Sequence, residues 1–149
     1  MLDDANQNWT WPDNTFDFIY VRFLNGCIRD WEKFYREAFR CLKPGGWFEH
    51  HEVALGWSSD TEEITPDSPI GQLIQLFTAA GKKTGRTFRT VDDYLQRPAM
   101  EAAGFVDLHE KELKCPLGDW PTDPQQKQVG LLMNEALLGD LEGMYVVFL

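Results

Sequence analysis

The chain has 149 residues, 43% of them hydrophobic, and a formal net charge of −10. That length and composition suit one globular domain with a real core, while the acidic balance repels phosphate and argues against unspecific nucleic-acid binding. No apolar run has transmembrane length, no start resembles a signal peptide, and the scattered Cys27, Cys41 and Cys115 argue against a zinc site or disulfide framework and fit a reducing compartment inside the cell, cytoplasm or nucleus.

Asp3 and Asp4 open the chain as an acidic, loop-like pair followed by Ala5. Asn6 to Asn14 is a polar loop carrying Trp9 and Trp11, and Pro12-Asp13-Asn14 is turn chemistry. From Phe16 to Glu52 the pattern reads strand, loop, helix, glycine turn, strand. Phe16, Phe18, Ile19, Tyr20 and Val21 form an apolar run of strand length, as a buried parallel strand would. Asp30 stands at an N-cap position, and Trp31, Phe34, Tyr35, Ala38 and Leu42 follow at helical spacing. Lys43-Pro44-Gly45-Gly46 stops that helix, and Trp47 to Val53 is extended again. The unit is βαβ, with a right-handed parallel crossover.

Glu49, His50, His51 and Glu52 are the densest ionisable cluster. Strand alternation puts Glu49 and His51 on one face, His50 and Glu52 on the other. Adjacent strand residues diverge, so the cluster makes a poor metal site. It reads either as polar strand-end packing or as a proton acceptor near neutral pH.

Gly56 to Pro69 is a polar, acidic loop. Ile70, Leu73, Ile74, Phe77 and Ala80 then recur at helical spacing, with Gly81 as the expected stop, and Lys82, Lys83, Arg86 and Arg89 form a basic island. That island either compensates local carboxylates or attracts an acidic partner. Thr90, with Asp93 three residues on, predicts a capped helix start, with a break near Arg97 before Pro98. Phe105 to Cys115 reads as an outer strand. Asp123-Pro124 opens a helix through Val129, Leu132, Met133, Ala136 and Leu137 to Gly139, and Leu141 to Leu149 reads as a further apolar helix or a terminal strand.

The ordered set FDFIYVRFL, amphipathic helix, LKPGGWFEHHE resembles the fourth and fifth strands of class I S-adenosylmethionine-dependent methyltransferases. More narrowly it resembles the fungal LaeA-like type. The likeness extends to WTWPDNTFDFIYVRF before it and to AGKKTGRTFR, AAGFVDLHEKELKCPLGDWP and LGDLEGMY after it. It implies an α/β, Rossmann-like fold, S-adenosylmethionine as cofactor and methyl transfer to an acceptor, small molecule or protein. On this likeness Asp4-Ala5 (Asp3 in the alternative) matches the acidic and small residues past the third strand that meet adenine. Val21 and Arg22 match the end of the fourth strand, near the methionine part of the cofactor. Arg22 is equally suited to a structural salt bridge. His51 or Glu52, at the end of the fifth strand, would face the acceptor, and no metal is implied. The segments divide as 1–55 (third-strand loop to fifth strand), 56–90 (inserted loop and helix that would shape the acceptor pocket) and 91–149 (sixth-strand region and C-terminal helices).

The G-x-G-x-G turn of the family's first strand does not occur in the 149 residues, nor does the acid ending its second strand. The seventh strand is not evident. The sequence therefore reads as the carboxyl-terminal part of the domain, lacking the first strands and the last. A bare sheet edge predicts weak stability, self-association or completion by another chain. Two functions follow from the resemblance: a methyltransferase, or a non-catalytic interaction module that binds a regulator protein.

Overall fold

The structure, a computed structural model, describes residues 4–139. Within them run strand β1 (Phe16–Arg22), helix α1 (Trp31–Cys41), strand β2 (Leu42–His51), and helices α2 (Pro69–Thr84), α3 (Gln96–Ala103) and α4 (Pro124–Gly139). The expected α/β class is what forms. β1 and β2 pair in parallel as a two-stranded sheet, from Phe18↔Trp47 to Arg22↔His51. The sheet is incomplete: β1 has no second neighbour among the described residues. Asp3 and the segment Leu141 to Leu149 lie outside the described residues.

α1 forms for the reasons its sequence gives. The Asp30 carboxylate accepts from the Lys33 N–H at 2.8 Å, satisfying one of the orphan donors of the first turn. Trp31, Phe34, Tyr35, Ala38 and Cys41 recur on one face and are buried. With Ile28 and with Ala99 of α3 they make the core; each fully buried large apolar side chain contributes roughly 1.5–3 kcal/mol. Ile19 and Val21 of β1 and Phe48 and His50 of β2 turn to that side of the sheet. Phe18 and Tyr20, with Trp47, turn to the other and stay exposed.

Several expectations change. The second strand starts at Leu42, which the spacing put on the helix, and ends at His51 rather than Val53. α2 does not stop at Gly81 but continues to Thr84, and Gly85, at φ +69°, ends it. Gly81 instead admits the Arg86 carbonyl, which would lie 2.7 Å from a Cβ there. Thr90 is not a helix cap. Residues 90–94 form a turn and α3 starts at Gln96, placing Pro98 in its first turn, where a missing N–H costs nothing. Phe105 to Cys115 is not a strand: among the described residues its backbone has no neighbouring strand to pair with, and a lone strand leaves its N–H and C=O groups without ladder partners.

Two compact units divide between Leu108 and His109. In the second, Asp123 caps α4 by accepting from the Gln126 N–H at 2.8 Å, and the Gly118 N–H donates to the Gly130 carbonyl at 3.0 Å. Gly130 is required at that approach, since a Cβ would lie 2.1 Å from the Gly118 oxygen.

Candidate functional site

The carboxyl ends of β1 and β2 point the same way, and the loop after β1, residues 23–30, is the hub of everything near them. The Leu24 N–H donates to Glu52 Oε2 at 2.8 Å. Asn25 Nδ2 donates to the Val53 carbonyl at 2.8 Å, while its Oδ1 accepts from the fully buried Thr90 hydroxyl. The Gly26 N–H donates to the Thr87 carbonyl at 2.8 Å. Asn6 fastens the hub to the first loop: its Oδ1 accepts from the Arg29 N–H at 2.9 Å and its Nδ2 donates to the Cys27 carbonyl at 3.1 Å. Such closure by side-chain amides and hydroxyls satisfies backbone groups that have no ladder partner.

Asp4 is exposed and shapes its own turn, Oδ1 accepting from the Asn6 N–H at 2.9 Å. That bond is the main influence holding its carboxyl below the usual carboxylate range; the Arg86 charge acts in the same direction more weakly. Ala5 and Val21 come together on an apolar recess of about 310 Å³, with Trp9, Leu24 and Phe34. The recess also follows β1 along Phe16 and Phe18. Trp9 meets Phe34 edge-on at 5.5 Å, so this indole covers the edge of the core.

Arg22 falls on the opposite face of β1 from Val21, exposed, its guanidinium 5.9 Å from the Phe23 ring centroid. His51 shares that face. Its Nδ1 is 3.1 Å from the Tyr20 hydroxyl and its Nε2 is 2.6 Å from Glu49 Oε1. With Nε2 protonated toward Glu49, Nδ1 accepts the phenol proton, an arrangement suited to proton abstraction. The chain thus separates Arg22 and His51 from Asp4, Ala5, Val21 and Glu52.

Sequence reasoning passed over His50. Its side chain is fully buried and stacks on Trp31, centroids 5.3 Å apart. Nδ1 lies 2.8 Å from the Tyr35 hydroxyl and 3.3 Å from Gln96 Nε2, and Nε2 lies 3.4 Å from Glu52 Oε2. Burial first, then the Glu52 charge, drives the Tyr35 phenol well above its ordinary value, so it stays protonated. The two faces of β2 therefore carry parallel Tyr–His–Glu sets, one dry and one wet. Strand alternation signalled the division; the sequence carried no sign that Tyr35 would supply the dry set. Among the described residues no three His, Cys, Asp or Glu side chains gather as metal ligands, and no helix is long and apolar enough to cross a membrane.

Residues 2–84 match the methyltransferase domain family. The chain is 32% identical over 143 residues to the secondary metabolism regulator LAE1 of Cochliobolus heterostrophus, covering 95% of this chain and 46% of that protein. It is 33% identical over 138 residues to methyltransferase pytC of Aspergillus terreus, covering 90% and 40%, and 36% identical over 130 residues to LAE1 of Hypocrea atroviridis, covering 86% and 37%. The chain thus spans less than half the length of these relatives. No solved structure matches it.

Proposed function

The chain belongs to the methyltransferase domain family, and from that premise we propose that it contributes to methyl transfer from S-adenosylmethionine. The observation that carries this reading is the Asn6 clasp: it joins the Asp4-Ala5 loop to the loop at the carboxyl end of β1, the place where open α/β sheets bind ligands. The residues fit the cofactor in part. Asp4 offers a carboxylate beside a small residue, and Ala5, Trp9 and Val21 offer an apolar wall for a flat ring. Arg22 and His51, on the other sheet face, do not join that wall.

When bound, the cofactor supplies an electrophilic methyl group on a sulfonium. The chain's part is positioning. Glu52 holds the Leu24 backbone in place, and Asn6 holds Arg29 and Cys27. His51, primed by Glu49, is the group on the outer face able to take a proton. Calorimetric titration with S-adenosylmethionine and S-adenosylhomocysteine tests the reading. Saturable binding that Asp4→Ala and Asn6→Ala weaken supports it; no binding at millimolar ligand by folded protein overturns it.

A second reading has its own observation. Phe18 and Trp47 are 52% and 67% exposed on the uncovered sheet face, and the outer edge of β1 is unpaired among the described residues. Such a surface suits a protein partner, a regulator or a second copy. Concentration-dependent sedimentation abolished by Trp47→Glu supports an intracellular interaction module; a monomer at all concentrations, with no captured partner, counts against it.

A further inference from the structure

We propose that the cleft between the start of α1 and the segment from the end of α2 to Arg89 binds an organic monoanion, a carboxylate on an apolar or aromatic body. The cleft has a volume of about 850 Å³, within the range of small-molecule sites. Its walls are of two kinds. Trp31, Phe88 and Tyr94 supply apolar surface, and Arg29, Lys82 and Arg86 supply positive charge.

Those three cations are unusual in a chain of net charge −10. None of them forms an ion pair among the described residues. The other charged groups on the walls are occupied. Arg89 pairs with Asp93 at 3.1 Å, Asp30 caps α1, and Glu32 pairs with Arg36 at 3.5 Å. With Glu32 compensated by Arg36 and Arg89 by Asp93, Arg29, Lys82 and Arg86 face Asp30 alone, so the lining is net positive and suits an anion, while the aromatic walls suit an apolar body that inorganic phosphate lacks.

Two of the wall residues also carry a buried donor without a hydrogen-bond partner among the described residues, Arg86 Nε and Trp31 Nε1, as Trp9 Nε1 and His50 Nε2 also lack one elsewhere. A guanidinium matches a carboxylate in geometry as well as in charge.

The place is also informative. Trp31 stacks on His50, so one wall of the cleft reaches the carboxyl end of β2. As the pocket for the methyl acceptor, this inference rests on the proposed function; as a binding site it does not, and it is tested without cofactor.

Phenylacetate, its neutral amide and inorganic phosphate are titrated separately into the ¹⁵N-labelled full chain, following the indole and backbone N–H signals. Phenylacetate is expected to shift Trp31 and the 85–89 signals saturably. Arg86→Gln and, on the exposed rim, Arg29→Gln are each expected to weaken it about tenfold or more, as loss of a charge-assisted bond would, while Lys127→Gln in α4 leaves it unchanged. Equal binding of the amide, preference for phosphate, no binding at all, or unchanged affinity in a folded Arg29→Gln variant would overturn the proposal. Phenylacetate binding without S-adenosylmethionine binding would leave the site standing and remove the methyl-transfer reading.

Discussion

Glu52 Oε2 lies 2.8 Å from the Leu24 backbone nitrogen, so the residue after β2 fixes the loop after β1. Glu52 is itself buried, its side chain 2% exposed. Removing it leaves a partly buried N–H with no acceptor and takes the carboxylate from beside His50. Glu52→Ala is expected to lower stability by about 2–3 kcal/mol, whereas Glu52→Gln keeps an oxygen for Leu24 and loses about 1 kcal/mol. Urea midpoints of the two variants check this, and equal losses would mean the Leu24 bond contributes little.

Acid should loosen the first loop before the core. Glu37 Oε2 accepts from Arg40 at 2.8 Å and from the Trp9 N–H at 2.9 Å, while Arg40 also donates to the Trp9 and Trp11 carbonyls. The Arg40 hydrogen bond is the largest influence holding the Glu37 carboxyl below its usual range. Its folded pKa is thus depressed. The stability it contributes is full above the ordinary glutamate value of about 4.3 and is lost as pH falls below it. Glu37→Gln is expected to cost about 1 kcal/mol at pH 7 and to flatten stability below pH 5. An unaltered acid limb in that variant would place the pH dependence elsewhere.

At the alkaline end the sign reverses. The Tyr35 phenol is raised by burial and by Glu52, so the fold favours its protonated form. That contribution is present below the ordinary tyrosine value of about 10 and is lost as pH rises beyond it. Tyr35→Phe should lose the bond to His50, about 1 kcal/mol at pH 7, yet lose less stability than the parent between pH 9 and 11. Denaturant curves across that interval measure it.

Thiol accessibility gives a test of the core. Cys41 is buried, and burial pushes its thiol up, whereas Cys27 and Cys115 are exposed. An aromatic disulfide reagent should modify two thiols rapidly and the third only with unfolding. Three fast thiols would mean that the α1 face is open in solution.

What could be read from residues was whatever depended on short range. The Asp30 cap, the α1 stripe and the strand alternation of Glu49 to Glu52 follow from spacing alone, and the family follows from the ordered motifs. The helix start at Gln96 was misplaced because Thr90, whose identity suggests a cap, is turned instead toward Asn25, 65 residues away in sequence. Phe105 to Cys115 has strand composition, but a strand is a property of a pair. The basic island Lys82 to Arg89 was legible, but the His50–Tyr35 contact and the meeting of that island with Arg29 and Trp31 were not, for a like reason: each is made by segments that meet only after folding.

The register break in β2 has a further consequence. From Phe16 to Phe18 β1 advances two residues, while β2 advances five, from Leu42 to Trp47. Lys43 to Gly46 therefore carries extra length, held at Lys43 by Asp17 and at Gly46 by close packing, while Gly45, with nothing within 4 Å of a Cβ position, bulges into open space. Lengthening the chain there would leave every downstream pairing in place. One residue deleted between Trp47 and His50 would turn the strand over from that point. His51 would then enter the dry core and His50 would face water, exchanging the two Tyr–His–Glu sets. Length variation across descendants of this gene should accordingly collect at Gly45 and spare the four residues after Gly46.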